Sequence, residues 1–472
     1  MRRSHPLSYP VPPRRAQSRV QRHPVAEPYE LTLTQAVAEI AARRLSSVEL
    51  TESLLARIEA LEPRLQAWAT LLPEQALAAA RAADAASAGS RGPLAGVPYG
   101  AKDIFDTAGI RTAAGSKIWA ERVPDADAAP IALARNAGAV LLGKLHTTEF
   151  ADGDPAPCFN PWNAAHTPGG SSTGSGVAVA ARMVPWAFGS QTVGSVLRPA
   201  AYNGVVGFKP TLGRIPRLGV VPMATSFDHV GVLVRSVEDV ALLLSVLAVH
   251  DPDDPYCADV PTDDYLAAVS GDLPAPRLGL VRGWFANEAD AETRLLMEET
   301  AQELANAGAS VEEIDPGVDF ARSYASHRIM QESEMAVWHT PLYMGNEELY
   351  GPKITVYIQN GFSHTARDYI AASDYRREVQ RLTAEAMEQV DALIMPTASG
   401  PAPRDRTQTG DTRFQSPWSY TGFPSISVPT GLASDGLPLG AQLACGPFRE
   451  AQLLRAAAWV EKALGVELNP PV

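Results

Sequence analysis

The sequence has few cysteines: only Cys158, Cys257 and Cys445 occur among 472 residues. They lie far apart and form no C-x-x-C pair, so the pattern predicts neither the disulfide framework of a small secreted domain nor a cysteine metal site. We expect reduced, buried thiols. The nine histidines show neither H-x-x-x-H nor H-E-x-x-H spacing, which leaves a zinc site without support. We therefore predict no metal and no cofactor.

Long apolar runs are absent as well. No stretch of about 18 apolar residues exists, so we expect no segment that spans a membrane. Residues 1–28 carry six arginines among several prolines, and the pair Arg2-Arg3 lacks the apolar centre that an export signal needs. We expect a disordered basic tail over residues 1–28, one domain over residues 29–472, and a cytoplasmic protein.

Positive charge is in short supply. The 40 Lys and Arg residues are outnumbered by 53 Asp and Glu residues, and the net charge is −13. This balance argues against nucleic-acid binding by bulk electrostatics. With 46% apolar and 20% charged residues, the composition is that of an ordinary globular protein. The expected partner is a small molecule, and a homodimer is compatible with the sequence.

Helical and strand patterns alternate along the chain. The capping box Ser46-x-x-Glu49 predicts a helix that follows it, with Leu50, Leu54 and Ile58 on its buried face. Residues 94–101 are predicted to form a short strand that places Lys102 at its end. Further strands are predicted at 140–142, 278–281, 311–314, 392–395 and 425–428, with helices at 75–86, 130–135, 176–183, 236–247, 291–307 and 365–389. The alternation predicts a layered α/β fold with a central sheet.

Two motifs suggest other chemistries. Residues 138–144 match the first seven positions of a P-loop, but Leu145 replaces the Ser or Thr that would hold magnesium, so ATP binding is disfavoured. Residues 170–174 match the G-x-S-x-G nucleophile elbow, which would make Ser172 the nucleophile of an α/β-hydrolase with a downstream histidine base. The loop-like segment 160–168 stands where an elbow requires a buried strand. This esterase interpretation stays open as an alternative.

Two other serines and a lysine suggest a hydrolytic site that has no histidine. Ser171 lies in a loop of glycines and hydroxyl residues, Ser195 follows Gly194, and Lys102 stands at the predicted strand end. A serine nucleophile needs a base, small neighbours that let a carbonyl approach, and donors for the oxyanion. This part of the sequence offers all three.

The chain closely resembles the amidase signature family from about Leu33 to Ala463. The resemblance rests on an ordered series of motifs: Leu94-Ala-Gly-Val-Pro-Tyr-Gly-Ala-Lys102-Asp103, Gly109-Ile-Arg-Thr-Ala-Ala-Gly-Ser116, Asn160-Pro-Trp-Asn163, Pro168-Gly-Gly-Ser-Ser172, Gly204-Val-Val-Gly-Phe-Lys-Pro-Thr211, Ser226-Phe-Asp228 and Gly422-Phe-Pro-Ser-Ile-Ser-Val-Pro429. It implies a central mixed β-sheet flanked by helices.

The resemblance also implies roles for individual residues. Ser195 is the expected nucleophile, Lys102 the terminal base, and Ser171 the serine between them, preceded by a cis peptide bond. Ser172 is expected to support these residues through its hydroxyl. The oxyanion donors are expected to be the backbone N–H groups of residues 192–195, that is Thr192, Val193, Gly194 and Ser195. A lysine with an ordinary pKa of about 10.4 costs about 4.6 kcal/mol to hold neutral at pH 7, so burial must lower the pKa of Lys102.

The chain departs from the family beside the nucleophile. Many members carry Asp-Thr-Gly-Gly-Ser, then an apolar residue and an arginine. Here Gln191 replaces the carboxylate, Val193 replaces a glycine, and Arg198 comes one residue late. We expect these differences to bear on the substrate more than on the reaction.

The expected activity is hydrolysis of C–N bonds in non-peptide amides through an acyl-enzyme. Aryl or alkyl amides are the expected substrates, and carbamates or ureas present the same carbonyl. Three alternatives remain open: a carbamate-specific hydrolase (urethanase), an amidotransferase subunit that works in a complex, and the esterase that uses Ser172.

Overall fold

A computed structural model describes residues 27–87 and 91–472 of the chain. The predicted basic tail lies outside these residues, except for Glu27 and Pro28. The strands of the described part are β1 (Trp68–Leu71), β2 (Pro98–Lys102), β3 (Val140–Leu145), β4 (Ala187–Gln191), β5 (Val206–Lys209), β6 (His229–Val234), β7 (Arg277–Leu280), β8 (Ser310–Glu313), β9 (Ala392–Pro396), β10 (Ser425–Leu432) and β11 (Pro438–Ala444).

The α-helices of the described part surround this sheet. They are α1 (Leu33–Ala41), α2 (Ser47–Leu65), α3 (Pro73–Ala85), α4 (Ala129–Asn136), α5 (Thr173–Ala180), α6 (Leu197–Asn203), α7 (Val237–Leu247), α8 (Tyr265–Val269), α9 (Trp284–Glu288), α10 (Ala291–Asn306), α11 (Phe320–Tyr343), α12 (Pro352–Ser363), α13 (Ala366–Met387), α14 (Ser416–Thr421) and α15 (Glu450–Leu464). Short 3₁₀ helices lie at Pro28–Glu30, Glu149–Ala151 and Glu347–Leu349.

The strands form one mixed sheet in the order β1-β3-β2-β4-β6-β5-β10-β11-β9-β7-β8. Strand β2 is parallel to both of its neighbours, β3 and β4. At the far end β7 is parallel to β8 and β9, whereas β4–β6 and β10–β11 are antiparallel pairs. The prediction of a central mixed sheet flanked by helices is confirmed.

Strand β2 brings a charged residue into the interior. All five of its residues are buried, as expected for a strand flanked by parallel neighbours and covered on both faces. Tyr99 stacks on Trp186 with ring centroids 4.6 Å apart and meets Phe188 edge-on. These rings fix the strand in the core, so the residue at its end, Lys102, is held inside the protein.

Helix α5 is buried on every side because it is built from small residues. All eight of its residues are buried. A Cβ added at Gly174 would lie 2.3 Å from the Ala67 carbonyl oxygen, and one added at Gly176 would lie 2.7 Å from Asn203 Nδ2. Larger side chains would push α5 away from its neighbours. The small residues therefore fix the start of α5, which directly follows Ser171 and Ser172.

Most of the predicted elements are present, with shifted ends. Ser46 and Glu49 form the predicted capping box of α2. The predicted strand at 94–101 begins only at Pro98, because the N–H groups of Leu94 and Gly96 bond to Ala137 and Gly138 in a turn. The helix predicted at 176–183 is α5, which begins three residues earlier at Thr173. Strands β1, β4, β5, β6 and β11 were not predicted.

The cysteines do not form disulfides. All three are free thiols, with Cys158 and Cys445 buried. The expectation of buried thiols is wrong for Cys257, which is partly exposed. Within the described residues, no helix combines the length and the apolar character needed to cross a membrane. The same residues contain no cluster of three or more His, Cys, Asp or Glu side chains suited to a metal ion.

Candidate active site

Lys102 lies at the end of β2 with its side chain fully buried. Its Nζ is 2.7 Å from Ser171 Oγ and 2.7 Å from Ser190 Oγ. Burial lowers the pKa of this amine well below its ordinary value of 10.5, and the nearby Asp228 carboxylate opposes that effect in part. A lysine that loses its charge gains a lone pair, which can accept a proton from a neighbouring hydroxyl.

Ser171 precedes α5, and the peptide bond between Gly170 and Ser171 is cis, as the resemblance to the amidase signature family implies. The carbonyl oxygen of Gly170 accepts hydrogen bonds from Nε and Nη2 of Arg198, at 3.2 and 2.6 Å. The carbonyl oxygen of Ser171 accepts from the N–H of Thr148 at 3.3 Å. The backbone on both sides of the cis bond is therefore held, and the Ser171 hydroxyl is aimed at Lys102.

Ser195 lies in the turn that joins β4 to α6. The turn places Ser195 and Val193 on the wall of the same cavity as Ser171. Within the described part of the chain, the N–H groups of Thr192, Val193, Gly194 and Ser195 make no hydrogen bond. Successive free N–H groups in a turn are suited to an anionic oxygen. The four predicted oxyanion donors are thus consecutive in this turn and have no acceptor within the described residues.

Gln191 supports this turn from behind. Its fully buried side chain accepts hydrogen bonds at Oε1 from the N–H groups of Val196 and Leu197, at 2.9 and 3.0 Å. Its Nε2 donates to Ser419 Oγ at 3.0 Å, and Ser419 in turn donates to the Val193 carbonyl oxygen at 2.9 Å. An amide can accept and donate at once, whereas a carboxylate can only accept. Gln191 therefore ties both ends of the turn together.

The serines open onto a polar cavity of about 310 Å³. Its wall includes both serines and a set of charged and polar side chains: Asp152, Arg198, Tyr324, Arg328, Gln331, Lys353, Tyr357, Gln408, Asp411 and Thr412. Burial raises the pKa of Asp152 to about 6. The cavity is of a size for a small molecule.

A second cavity, of about 290 Å³, lies beside the first and shares Ala151 and Met223 with it. Its wall is mostly apolar and includes Leu218, Val220 and Val221. Ser190, the other hydroxyl partner of Lys102, also lies on this wall. Lys102 thus lies between the two cavities. Its partner Ser171 lies on the wall of the polar cavity, and its partner Ser190 lies on the wall of the apolar cavity.

Ser172 is not placed like a nucleophile at an elbow. Its hydroxyl is buried, donates to the Ser190 carbonyl oxygen at 3.3 Å and accepts from the Ser190 N–H at 3.2 Å. These bonds fix the backbone of Ser190, so Ser172 supports the site without entering it. The segment over residues 160–168 contains no strand. The described residues therefore offer neither the strand nor the free hydroxyl that an esterase elbow needs.

The P-loop pattern is a coincidence of sequence. Lys144 is fully buried in β3, and its Nζ donates to the Phe105 carbonyl oxygen and to the hydroxyls of Thr107 and Thr112. The Asp103 carboxylate lies 3.7 Å away. An ammonium committed to these groups cannot reach a bound phosphate.

Two contributors to the site were not predicted from the sequence. Ser190 contacts the lysine, and Ser419 holds the nucleophile turn from more than 200 residues away. Ser190 lies five residues before Ser195 and could have been suggested by its place next to the predicted turn. Nothing in the sequence around Ser419 indicated this role, because the role comes from the packing of α14 against that turn.

Known proteins resemble this chain over most of its length. A family model described as Amidase matches residues 49–454. The sequence is 36% identical over 476 residues to the A subunit of glutamyl-tRNA(Gln) amidotransferase from Geobacter metallireducens, covering 93% of this chain and 98% of the relative. It is 38% identical over 472 residues to the corresponding protein of Azotobacter vinelandii, covering 92% and 98% of the two chains.

Solved structures give a similar result. A 6-aminohexanoate cyclic dimer hydrolase complexed with substrate superposes with a TM-score of 0.84 at 29% identity, covering 94% of this chain and 99% of that one. The peptide amidase from Stenotrophomonas maltophilia superposes with a TM-score of 0.80 at 31% identity, covering 93% and 98%. A chain of a vestigial protein complex, related to an s-triazine catabolic enzyme, reaches a TM-score of 0.87 at 31% identity, covering 94% and 100%.

Proposed function

The chain belongs to the amidase family, and on that premise we propose that it hydrolyses the C–N bond of small non-peptide amides through an acyl-enzyme on Ser195. The single observation that carries the proposal is the buried amine of Lys102, which lies 2.7 Å from Ser171 Oγ. A buried lysine beside a serine can act as a base because burial favours its neutral form.

The proposed reaction begins with proton transfer. Ser195 Oγ attacks the amide carbonyl carbon while its proton passes to Ser171 Oγ, and the Ser171 proton passes to Lys102 Nζ. The C–N bond then breaks, and the leaving amine takes a proton back through Ser171 from Lys102. Water attacks the resulting ester by the same route, which releases the carboxylic acid and restores the Ser195 hydroxyl.

The oxyanion of each tetrahedral intermediate is assigned to the N–H groups of the turn at residues 192–195. The support for this assignment is that these groups have no partner within the described residues. Donors that are fixed before the reaction stabilise a developing charge without reorganisation, and the loss of one such donor costs about 10²- to 10³-fold in kcat. Gln191 and Ser419 are assigned the task of keeping the turn in place.

The two cavities suggest which parts of a substrate go where. We assign the part of the substrate that carries a polar group next to the scissile carbonyl to the polar cavity, whose wall includes Ser195. An alkyl or aryl group is assigned to the apolar cavity lined by Leu218, Val220 and Val221. Carbamates and ureas are further candidate substrates because their carbonyl can be attacked in the same way.

The test is turnover by the purified chain on matched anilides, alkyl amides, carbamates and ureas. We expect amine release from at least one amide, and a loss of about 10²- to 10⁴-fold in kcat for Lys102→Ala, the scale of a general base. Ser172→Ala is the matched control, since within the described part of the chain its hydroxyl bonds only to the backbone of Ser190. Full turnover by Lys102→Ala would contradict the proposed base.

A second candidate is an amidotransferase subunit, favoured by the names of the relatives from Geobacter and Azotobacter. Such a subunit would release ammonia from glutamine and depend on a partner chain. Hydrolysis of simple amides by the chain alone, with no activity on glutamine, would favour the amidase. Glutamine hydrolysis that is seen only after a partner is added would favour the amidotransferase.

A further inference from the structure

Asp152 is a partly buried carboxylate on the wall of the polar cavity, which also includes Ser171 and Ser195. Its Oδ2 accepts a hydrogen bond from Gln331 Nε2 at 3.1 Å, and its Oδ1 accepts one from the N–H of Gly153 at 2.7 Å. An ionised carboxylate has about four acceptor positions on its two oxygens. Each oxygen of Asp152 can therefore accept a further hydrogen bond from a molecule in the cavity.

Other charged groups on the same wall are held by partners within the protein. Asp411 is paired with Arg413 at 2.7 Å, and Arg328 is paired with Glu332 at 2.5 Å. The ammonium of Lys353 donates to a backbone carbonyl oxygen. The second carboxylate of the wall is thus already matched by a cation, and two of the cations on the wall have acceptors of their own.

Asp152 differs from these groups. No side-chain nitrogen of a Lys, Arg or His among the described residues lies within 4.0 Å of its carboxylate oxygens. Burial raises the pKa of Asp152 to about 6, although the guanidinium groups of Arg328 and Arg198 oppose this effect from farther away. The distant cations therefore do not offset the desolvation of the carboxylate. A cation in direct contact would stabilise its charged form.

We propose that Asp152 binds an ammonium group of the substrate, so that the preferred substrates are small amides that carry a primary amine a few bonds from the scissile carbonyl. The proposal rests on the function proposed above, because it assigns the substrate class of the same site. An ammonium is a compact cation with three donors, which suits a carboxylate that has free acceptor positions. The cavity of about 310 Å³ limits the spacer between amine and amide to a short chain.

The experiment compares 3-aminopropanamide with butanamide, in which a methyl group replaces the ammonium, at a pH where Asp152 is ionised. We expect kcat/KM for the amino amide to exceed that for butanamide by about 10- to 100-fold, the scale of a hydrogen bond to a charged group. The pair of glycinamide and propanamide and the pair of 4-aminobutanamide and pentanamide define the spacer. If no amino amide exceeds its alkyl counterpart in kcat/KM, the proposal is overturned.

The variant Asp152→Asn locates the effect, because asparagine has a similar size and can still accept from Gln331 Nε2 but carries no charge. We expect the preference for the amino amide to fall to within about 3-fold, mainly through KM. Asp411→Asn is the matched control, since Asp411 lies on the same wall but is paired with Arg413, and it should keep the preference. Equal losses on both substrates in Asp152→Asn would show that Asp152 only holds Gln331, and would overturn the proposal. Asp152→Ser serves in its place if Asp152→Asn does not fold.

A binding measurement separates this proposal from the proposed function. The amino amide with the highest kcat/KM, or 3-aminopropanamide if none is hydrolysed, is titrated by calorimetry into Ser195→Ala and into the same variant with Asp152→Asn added. Binding that is weakened at least 10-fold by the second substitution supports the ammonium site even if no amide is hydrolysed. If amides are hydrolysed but the amino amide binds equally to both proteins, the proposed function stands and the ammonium site is overturned.

Discussion

The substitution Gln191→Met tests how the nucleophile turn is held. Methionine has a similar volume but cannot replace the hydrogen bonds of the amide. The change leaves the N–H groups of Val196 and Leu197 without an acceptor, and both residues are fully buried. A buried group that loses its partner costs about 1 to 3 kcal/mol. Two such groups cost about 4 kcal/mol, and the apolar side chain returns about 1 kcal/mol, so we expect a loss of about 3 kcal/mol in the free energy of unfolding.

The same substitution should reduce activity, because the turn carries the proposed oxyanion donors. Without the amide, Ser419 keeps its bond to the Val193 carbonyl oxygen but loses its tie to β4. We expect kcat to fall about 10²-fold, close to the loss of one oxyanion donor. Gln191→Glu keeps both accepted hydrogen bonds, and we expect it to retain kcat within about 10-fold.

The assays are urea denaturation for stability and steady-state kinetics for activity. Gln442→Met is the matched control, because Gln442 is also a fully buried amide and donates to the carbonyl oxygens of Pro396 and Phe414. It should lower stability by about 1 to 3 kcal/mol with a much smaller loss in kcat. The reasoning is refuted if Gln191→Met keeps native kcat, or if the control loses as much activity.

Three further predictions concern the base and its neighbours. Protonation disables Lys102 as a base, and burial lowers its pKa well below 10.5. We therefore expect kcat/KM to rise with pH, with the midpoint of the rise at a pH well below 10.5. If the same rise persists in the pH profile of Lys102→Ala, it belongs to another group. Ser190→Ala removes one of the two hydroxyls that contact Lys102 Nζ. We expect it to lower kcat about 10-fold and to shift the midpoint of the rise in kcat/KM with pH, as measured by steady-state kinetics. An unchanged midpoint would count against contact between Ser190 and the base. Ser172→Ala should lower the free energy of unfolding by about 1 to 2 kcal/mol in urea denaturation and keep kcat within about 10-fold, and a larger kcat loss would give its hydroxyl a direct role.

Much of the fold follows from local patterns in the sequence. The capping box at Ser46 and Glu49 and the apolar stripe of α2 specify a helix without help from distant residues. Strand β4 was missed because Ala187–Gln191 is short and carries glycine, serine and glutamine. Its strand geometry comes from pairing with β2 and β6. Such pairing depends on tertiary contacts that a local window does not contain.

The candidate site, too, could be predicted from the sequence only in part. Lys102, Ser171 and Ser195 were suggested by ordered motifs, and the structure places Ser171 at the buried amine of Lys102 and both serines on the wall of one cavity. The consequence of the departure at Gln191 was not predictable, because its effect depends on Ser419 in a distant helix. The partners of Arg198 could not be foreseen either, since Gly170 and Gly410 meet only in the folded chain.

The central claim is that Ser195 forms the covalent intermediate. It is tested most directly by treating the chain with a fluorophosphonate probe and mapping the modified peptide by mass spectrometry. We expect one adduct, on Ser195, that is absent in Ser195→Ala and forms far more slowly in Lys102→Ala. An adduct on Ser172, or undiminished labelling of Ser195→Ala, would contradict the account.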